Sequence, residues 1–401
     1  LNAPSAAPST AMGHVYGIDL LRFLASIAVV LFHFKYFGLG APEHRATGPD
    51  VAFDFLPDWA SSGWIGVQIF FVLSGYVIAQ SAIGASWHGF FMKRAIRILP
   101  ALWIYATIAL LVRIASGEST WERLLDWFRS MVLSPKGPYI DGVVWTLVIE
   151  AVFYAVICVW MVVQQRRGGQ QLVSLDRLAG LLGLASGLFL VFASVAAAMG
   201  LAFATPLDWF GYKLLLLHHG VYFALGMTLF SVTQRPPTVA TRAAIVLLIL
   251  LCLLEIRLKT NTGGDVVIAS ALWLFMLAWL ILSIALRPPI TQARLRGVFT
   301  ILGKLSYPIY LGHFVLGMYL VPHLALVIED RTLLFAASML FITTLALLIA
   351  HGPEPWGQQK LRSLFQRMVP AQASTPRPTG PVSTTPPIER NGQLIHPWEN
   401  T

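Results

Sequence analysis

The chain has 401 residues, 56% of them hydrophobic and 12% charged, with 28 Lys plus Arg against 19 Asp plus Glu and a net charge of +9. With a mean hydropathy of +0.69, too few polar side chains remain to cover a water-facing surface of this size. Soluble multidomain, disordered, fibrous and disulfide-rich secreted classes are therefore excluded, and an all-α integral membrane protein is implied.

A bilayer core is crossed by about 20 mostly apolar residues, and ten such stretches are predicted: 15–36, 64–83, 98–116, 143–164, 178–199, 212–232, 241–257, 266–286, 298–321 and 332–351. Segment 121–133 interleaves charges with Trp, Leu and Phe at helical period, which predicts a helix lying at the membrane interface. Residues 1–14 form a polar N-terminal segment with no positive region ahead of the first apolar run, so no cleavable signal peptide is expected. Residues 15–369 form the membrane domain. Residues 370–401, rich in Pro, Ser and Thr, are expected to be a disordered tail, too short for a second catalytic domain. Cys158 and Cys252 fall inside apolar runs as buried thiols, silent on redox compartment.

Lys and Arg collect on cytoplasmic loops. An inside N-terminus puts Lys93, Arg94 and Arg97, then Arg166, Arg167 and Arg177, Arg235 and Arg242, Arg287, Arg294 and Arg296, and Lys360, Arg362 and Arg367 on one side. The opposite loops keep most of the acids, among them Glu43, Asp50, Asp54, Glu118, Asp141 and Glu329. Both termini are expected to be cytoplasmic. The basic balance thus reports topology rather than nucleic acid.

Charged side chains inside spans are costly unless paired or hydrated, which marks them as functional candidates. In the first span, Arg22 and His33 are eleven residues apart, about three turns plus 20°, so they share one face about 16 Å apart along the axis. Asp19 lies three residues before Arg22, a spacing that can pair them; the opposing reading makes His33 a helix cap beside a structural ion pair. In the second span, Ser74 and Gly75 interrupt a bulky stretch, either for close helix packing or to let a ligand chain pass the backbone. Lys93, Arg94 and Arg97 crowd the start of the third span, ahead of Pro100. They serve either topology or a phosphate clamp, for which Arg forks are suited.

Glu150 lies about two turns inside the fourth span, flanked by Trp145 and Tyr154. Its depth matches that of His33, so the two can form a base and its orienter. The ninth span carries Ser306, Tyr307, Pro308, Tyr310 and His313, with His313 three residues from Tyr310; the bland reading is a satisfied structural histidine. His218 and His219 resemble metal ligands, but adjacent residues face about 100° apart and no Cys, Asp or Glu joins them at helical spacing, so no metal is expected. Glu354 sits between two prolines after the tenth span, as a structural stop would.

Taken in order, these segments resemble acyltransferase family 3, the integral-membrane O-acyltransferases of bacterial surface polysaccharides and some small metabolites. The matching residues are Arg22 and His33, Phe70 to Tyr76, Lys93 to Pro100, Trp145 to Tyr154, Ser306 to His313, and the pair Glu354 and Pro355. The resemblance implies a ten-helix acyltransferase domain in a bacterial inner membrane, an essential first-span Arg and His, and a basic cluster that meets an acyl-CoA donor, most simply acetyl-CoA. It also implies a standalone member, without the extra helix and esterase-like domain that some members carry, and contact with a saccharide acceptor and with polysaccharide-assembly proteins. The mechanism expected from this resemblance has Lys93, Arg94 and Arg97 on the donor phosphates and Ser74 and Gly75 beside its thin arm. His33 is the base, held by Glu150, and Arg22, a tyrosine hydroxyl or a backbone N–H meets the developing oxyanion. Asp19, Trp145, Tyr154, Tyr307, Tyr310, His313 and Glu354 are expected as support or substrate contacts. A transporter or polysaccharide flippase, or a macrolide-type acceptor, are the alternatives; repeat symmetry and paired broken helices, which a transporter predicts, are not evident in the sequence.

Overall fold

The computed structural model describes residues 14–36, 51–167, 170–200, 209–260, 265–286 and 291–368, together with the two-residue strands Glu389–Arg390 and Gln393–Leu394, which pair antiparallel. Most of the 370–401 tail, and Glu43, Asp50 and Arg287 of the predicted loops, lie outside the described residues.

The described residues form α-helices α1 (Tyr16–Tyr36), α2 (Ile65–Ala82), α3 (Trp87–Ala115), α4 (Thr120–Met131), α5 (Val144–Arg167), α6 (Gln171–Ala198), α7 (Phe210–Leu214), α8 (Gly220–Gln234), α9 (Val239–Thr260), α10 (Val266–Leu286), α11 (Ala293–Leu324), α12 (Arg331–His351) and α13 (Pro353–Met368), with a 3-10 turn at Asp58–Ser62. Among the described residues, eight helices are long and apolar enough to cross a membrane: α1, α2, α3, α5, α6, α9, α10 and the run from α12 into α13. Two of the ten predicted spans do not qualify. α8 has 15 residues, and α11, though 32 residues long, is diluted by Lys304, Ser306, Tyr307 and His313. Both are mostly buried among other helices, so their backbone polar groups and polar side chains are screened by protein rather than lipid, and neither length nor apolarity is imposed on them.

α1 packs along α11 and touches α2 and α10; α2 lies along α8, and α8 along α6 and α9. The α2–α8 crossing depends on missing side chains: a Cβ on Gly75 would lie 2.3 Å from the Phe223 carbonyl oxygen, and one on Gly226 would lie 2.0 Å from that of Val72. Gly75 is therefore a packing residue. The expectation that it lets a ligand pass is corrected, because the space it vacates is filled by the backbone of α8.

Outward faces carry exposed Leu184 and Leu188 on α6, Leu250 on α9, Phe275 on α10 and Leu340 on α12, the pattern of a surface solvated by lipid. The helix predicted over 121–133 forms as α4. It buries Asp126, whose carboxylate pairs with Arg123 Nη1 at 3.0 Å and Arg129 Nη1 at 3.1 Å, and it exposes Trp121 and Phe128. α3 begins well before the predicted 98, so the basic cluster stands on helix rather than loop. α13, which no apolar run announces, packs on α3 and α12.

Candidate active site

Arg22 and His33 share one face of α1, and the two ends of that face meet different surroundings. Arg22 opens onto a cavity of about 110 Å³ walled by α1, α2, α3, α5 and α11, which Ser74, Arg94, Arg97, Thr146, Glu150, Tyr154, Tyr307 and Tyr310 also line. The i, i+3 spacing of Arg94 and Arg97 on α3 turns both inward. Lys93, about 100° away around the helix, is exposed and does not reach the cavity.

The cavity wall is ordered by hydrogen bonds. Glu150 Oε1 accepts from Ser74 Oγ at 2.7 Å and from Tyr154 OH at 2.5 Å, two neutral donors that replace hydration for a carboxylate inside the bundle. Tyr307 OH donates to the Ile98 carbonyl at 3.0 Å. Its ring lies under the Arg97 guanidinium, 5.4 Å from the centroid. Arg97 Nη1 also lies 3.7 Å from Glu354 Oε1, a buried carboxylate on α13 that further accepts from Gln358 Nε2 at 3.0 Å. Arg22 and Arg94 have no carboxylate within 4.0 Å among the described residues. Three guanidinium groups thus face one lining carboxylate, an electrostatic surface that favours an anionic or strongly polarised ligand.

At the other end of α1, half-buried His33 meets His313 of α11, which is fully buried. His313 Nδ1 lies 2.8 Å from the Tyr310 carbonyl oxygen. A carbonyl only accepts, so this nitrogen carries the proton and His313 Nε2 is an acceptor. That acceptor is 3.0 Å from His33 Nδ1, which is also 3.1 Å from the Val29 carbonyl. His33 Nδ1 therefore carries the proton and shares it between the two, leaving Nε2 as the basic nitrogen of the neutral ring. Tyr310 joins the two regions: its hydroxyl meets Thr146 Oγ1 at 2.9 Å in the cavity wall, and its carbonyl holds His313.

Two predicted pairings are corrected. Glu150 does not orient His33, because its hydrogen bonds go to Ser74 and Tyr154; equal depth along two helices left their rotation about the bundle undetermined. The partner of His33 is His313, which the same depth argument would also have admitted. Asp19 does not pair with Arg22. Its Oδ2 is 2.5 Å from His14 Nε2, and its carboxyl packs on Gly303, where a Cβ would come within 2.6 Å of Asp19 Cγ. Arg22 turns to the cavity while Asp19 turns to α11. Trp145 also lies off the cavity, with Lys213 Nζ 5.0 Å over its ring.

Two residues were not singled out from the sequence as site residues. Thr146 was missed because a span threonine is unremarkable alone. Asp141, counted only as an outer-loop acid, is buried and accepts from the Val143 N–H at 3.0 Å and the Val315 N–H at 3.3 Å, joining the start of α5 to α11. Burial pushes its carboxyl up to about 6, against the pull of those two N–H groups and of Arg113.

A family profile described as an acyltransferase domain matches residues 15–351. Nodulation protein 10 of Rhizobium leguminosarum bv. viciae is 28% identical over 192 residues, 41% of this chain and 50% of that protein. Peptidoglycan O-acetyltransferase OatA of Listeria monocytogenes serovar 1/2a is 30% identical over 106 residues, 24% of this chain and 14% of that protein. The O-acetyl transferase of Shigella phage Sf6 is 40% identical over 85 residues, 21% of this chain and 22% of that protein. The matched stretches span half or less of the length of these relatives. No solved structure matches the chain.

Proposed function

The chain belongs to acyltransferase family 3, and on that premise we propose that it is a membrane O-acyltransferase that moves an acyl group, most simply acetyl, from acyl-CoA to a hydroxyl of a cell-envelope saccharide. The observation that carries this reading is the pair His33–His313, with both tautomers set by backbone carbonyls, next to a cavity lined by three arginines. Two of the similar proteins are themselves named O-acetyl transferases, which favours acetyl over a longer chain. The transporter reading lapses with the family assignment.

In this mechanism the donor enters from the side where Arg94 and Arg97 stand, its phosphates meeting their guanidinium forks and its arm running past Ser74 toward Thr146 and Tyr310. His33 Nε2 removes the proton from the acceptor hydroxyl as its oxygen bonds to the thioester carbon. Positive charge on the ring is shared through Nδ1–H to His313. The carbon–sulfur bond then breaks, and the thiolate leaves with the proton from His33, giving the ester and free CoA thiol. Arg22 serves the donor in the cavity rather than the base, since the two residues stand about 16 Å apart along α1.

The topology that goes with this reading has ten spans, α8 and α11 completing the eight apolar ones. Both termini are cytoplasmic, and Lys93, Arg94 and Arg97 near the start of α3, Arg166 and Arg167 at the end of α5, and Arg242 near the start of α9 lie inside. The His33 pair is then near the opposite face of a bacterial inner membrane, where a saccharide, or an assembly protein presenting one, would meet it.

The test is transfer of radiolabel from acetyl-CoA to envelope glycan in membranes containing the protein. His33→Ala is expected to lower transfer at least about 100-fold, the low end of what a general base contributes. Equal transfer by His33→Ala and wild type would overturn the base assignment, and no transfer by wild type to any glycan offered would overturn the acceptor class.

A further inference from the structure

A second set of titratable groups is buried away from the cavity, where the turn before α8 meets α9. His218, His219 and Glu255 are 3%, 1% and 0% exposed. Each offers one ligand atom, and these atoms all lie within 4.8 Å of one another. His218 Nε2 is 2.8 Å from Glu255 Oε1, and His219 Nδ1 is 3.7 Å from the same oxygen. Glu255 Oε2 is already held by Tyr222 OH at 2.5 Å. Sequence spacing hid this cluster, because the carboxylate arrives from a different helix than the histidines.

Its hydrogen bonding is incomplete. Among the described residues, both ring nitrogens of His219, His218 Nδ1 and Glu255 Oε1 make no directed hydrogen bond. Buried polar atoms are nearly always satisfied, and each one left over costs about 1–3 kcal/mol. The two nitrogens of an imidazole point apart, so one centre meets only one from each ring; Glu255 Oε1, with His218 Nε2 at 2.8 Å and His219 Nδ1 at 3.7 Å, is the set that shares a point. Atoms bound at about 2.0–2.2 Å around a tetrahedral centre lie about 3.3 Å apart, a value that the distances of 2.8 and 3.7 Å bracket.

We propose that His218, His219 and Glu255 bind a divalent transition metal ion of the zinc class. Two imidazoles and one carboxylate suit such an ion, and the hydrogen bond from Tyr222 fixes the second carboxylate oxygen, as outer partners of metal ligands do. Calcium and magnesium are the wrong class, since they need a shell of oxygens. Lys213 and Lys259, seated over Trp145 and Trp64 at 5.0 and 4.2 Å, also raise the local positive potential against a cation held by charge alone. None of the three ligands lines the arginine cavity, so the ion ties the turn before α8 to α9 and takes no part in acyl transfer.

The experiment uses the full chain purified in detergent by a tag free of histidine, stripped with chelator, exposed to Zn²⁺ and freed of excess metal, with bound zinc measured by mass spectrometry. About one zinc per chain is expected for wild type and less than about a tenth for Glu255→Gln and His219→Gln, with a melting midpoint that zinc raises by several degrees in wild type alone. Replacement by Co²⁺ should give the visible absorption of a tetrahedral nitrogen and oxygen site. Wild type holding no more zinc than Glu255→Gln overturns the proposal. If the variants do not fold, a wild type that shows no cobalt band and no zinc-dependent melting shift overturns it equally.

Discussion

At the scale of single residues, the central feature is that two backbone carbonyls decide which nitrogen of His33 is basic. In the proposed mechanism His313 takes part through His33 Nδ1–H, as a positioning residue. Replacing it with Ala leaves that N–H to Val29 alone and frees the ring to rotate. The expected outcome is a kcat lowered about 10- to 100-fold with KM for acyl-CoA unchanged, and partial recovery in His313→Gln, whose side-chain carbonyl can accept the same N–H. A rise in KM with kcat intact would show that His313 serves donor binding instead. The donor side should respond in the opposite way: Arg94→Ala is expected to raise KM for acyl-CoA about tenfold, from the loss of about 1.4 kcal/mol of phosphate contact, with little change in kcat.

At the scale of elements, helix approach is set by side chains that are absent. Gly226 on α8 and Gly75 on α2 face backbone atoms at distances no Cβ tolerates, and backbone cannot turn aside as a flexible side chain can. Gly226→Val is therefore expected to destabilise by about 1–3 kcal/mol or more, read as a lower melting midpoint in detergent and a lower yield. Gly180→Ala on α6, where nothing lies within 4 Å of the added carbon, should melt at or slightly above wild type, because Ala is the better helix former by about 1 kcal/mol. This level also shows what was legible in the sequence. The eight apolar spans and α4 could be read because lipid imposes length, apolarity and period on any helix that faces it. α8 and α11 were placed only to within several residues, because helices buried among other helices escape that constraint, and α13 was not foreseen, because its own sequence is mostly polar. Arg22, Ser74, Glu150, Tyr154, Tyr307 and Tyr310 of the cavity were legible as polar exceptions in apolar runs and Arg94 and Arg97 as a basic cluster, whereas Thr146 was not. Their pairings were not, since depth along a helix follows from counting residues, whereas rotation about the bundle depends on all the other helices; Glu150 with Ser74 and Tyr154, and His33 with His313, are both of this kind.

At the scale of the whole molecule, the cavity and the histidine pair share α1 and α11, and Asp141 ties α11, two residues past His313, to the start of α5. Its carboxylate holds the Val143 and Val315 N–H groups, yet burial raises its pKa to about 6, against about 3.9 in an unfolded chain. The native state therefore binds this proton more tightly than the unfolded state. Through this group, stability rises as pH falls through 6, is fully gained below about 4, and is lost again above 6, by at most about 3 kcal/mol for a shift of about two pKa units. Other groups titrate across the same range, so the informative quantity is a difference between two proteins. The melting midpoint at pH 5 minus that at pH 7.5 is expected to be more positive in wild type than in Asp141→Asn by a few degrees, because the amide carries no charge to neutralise. It should also be independent of salt, since a group this deeply buried is poorly screened. An identical pH difference in the two proteins would mean that the carboxyl is solvated where it stands and does not tie α5 to α11.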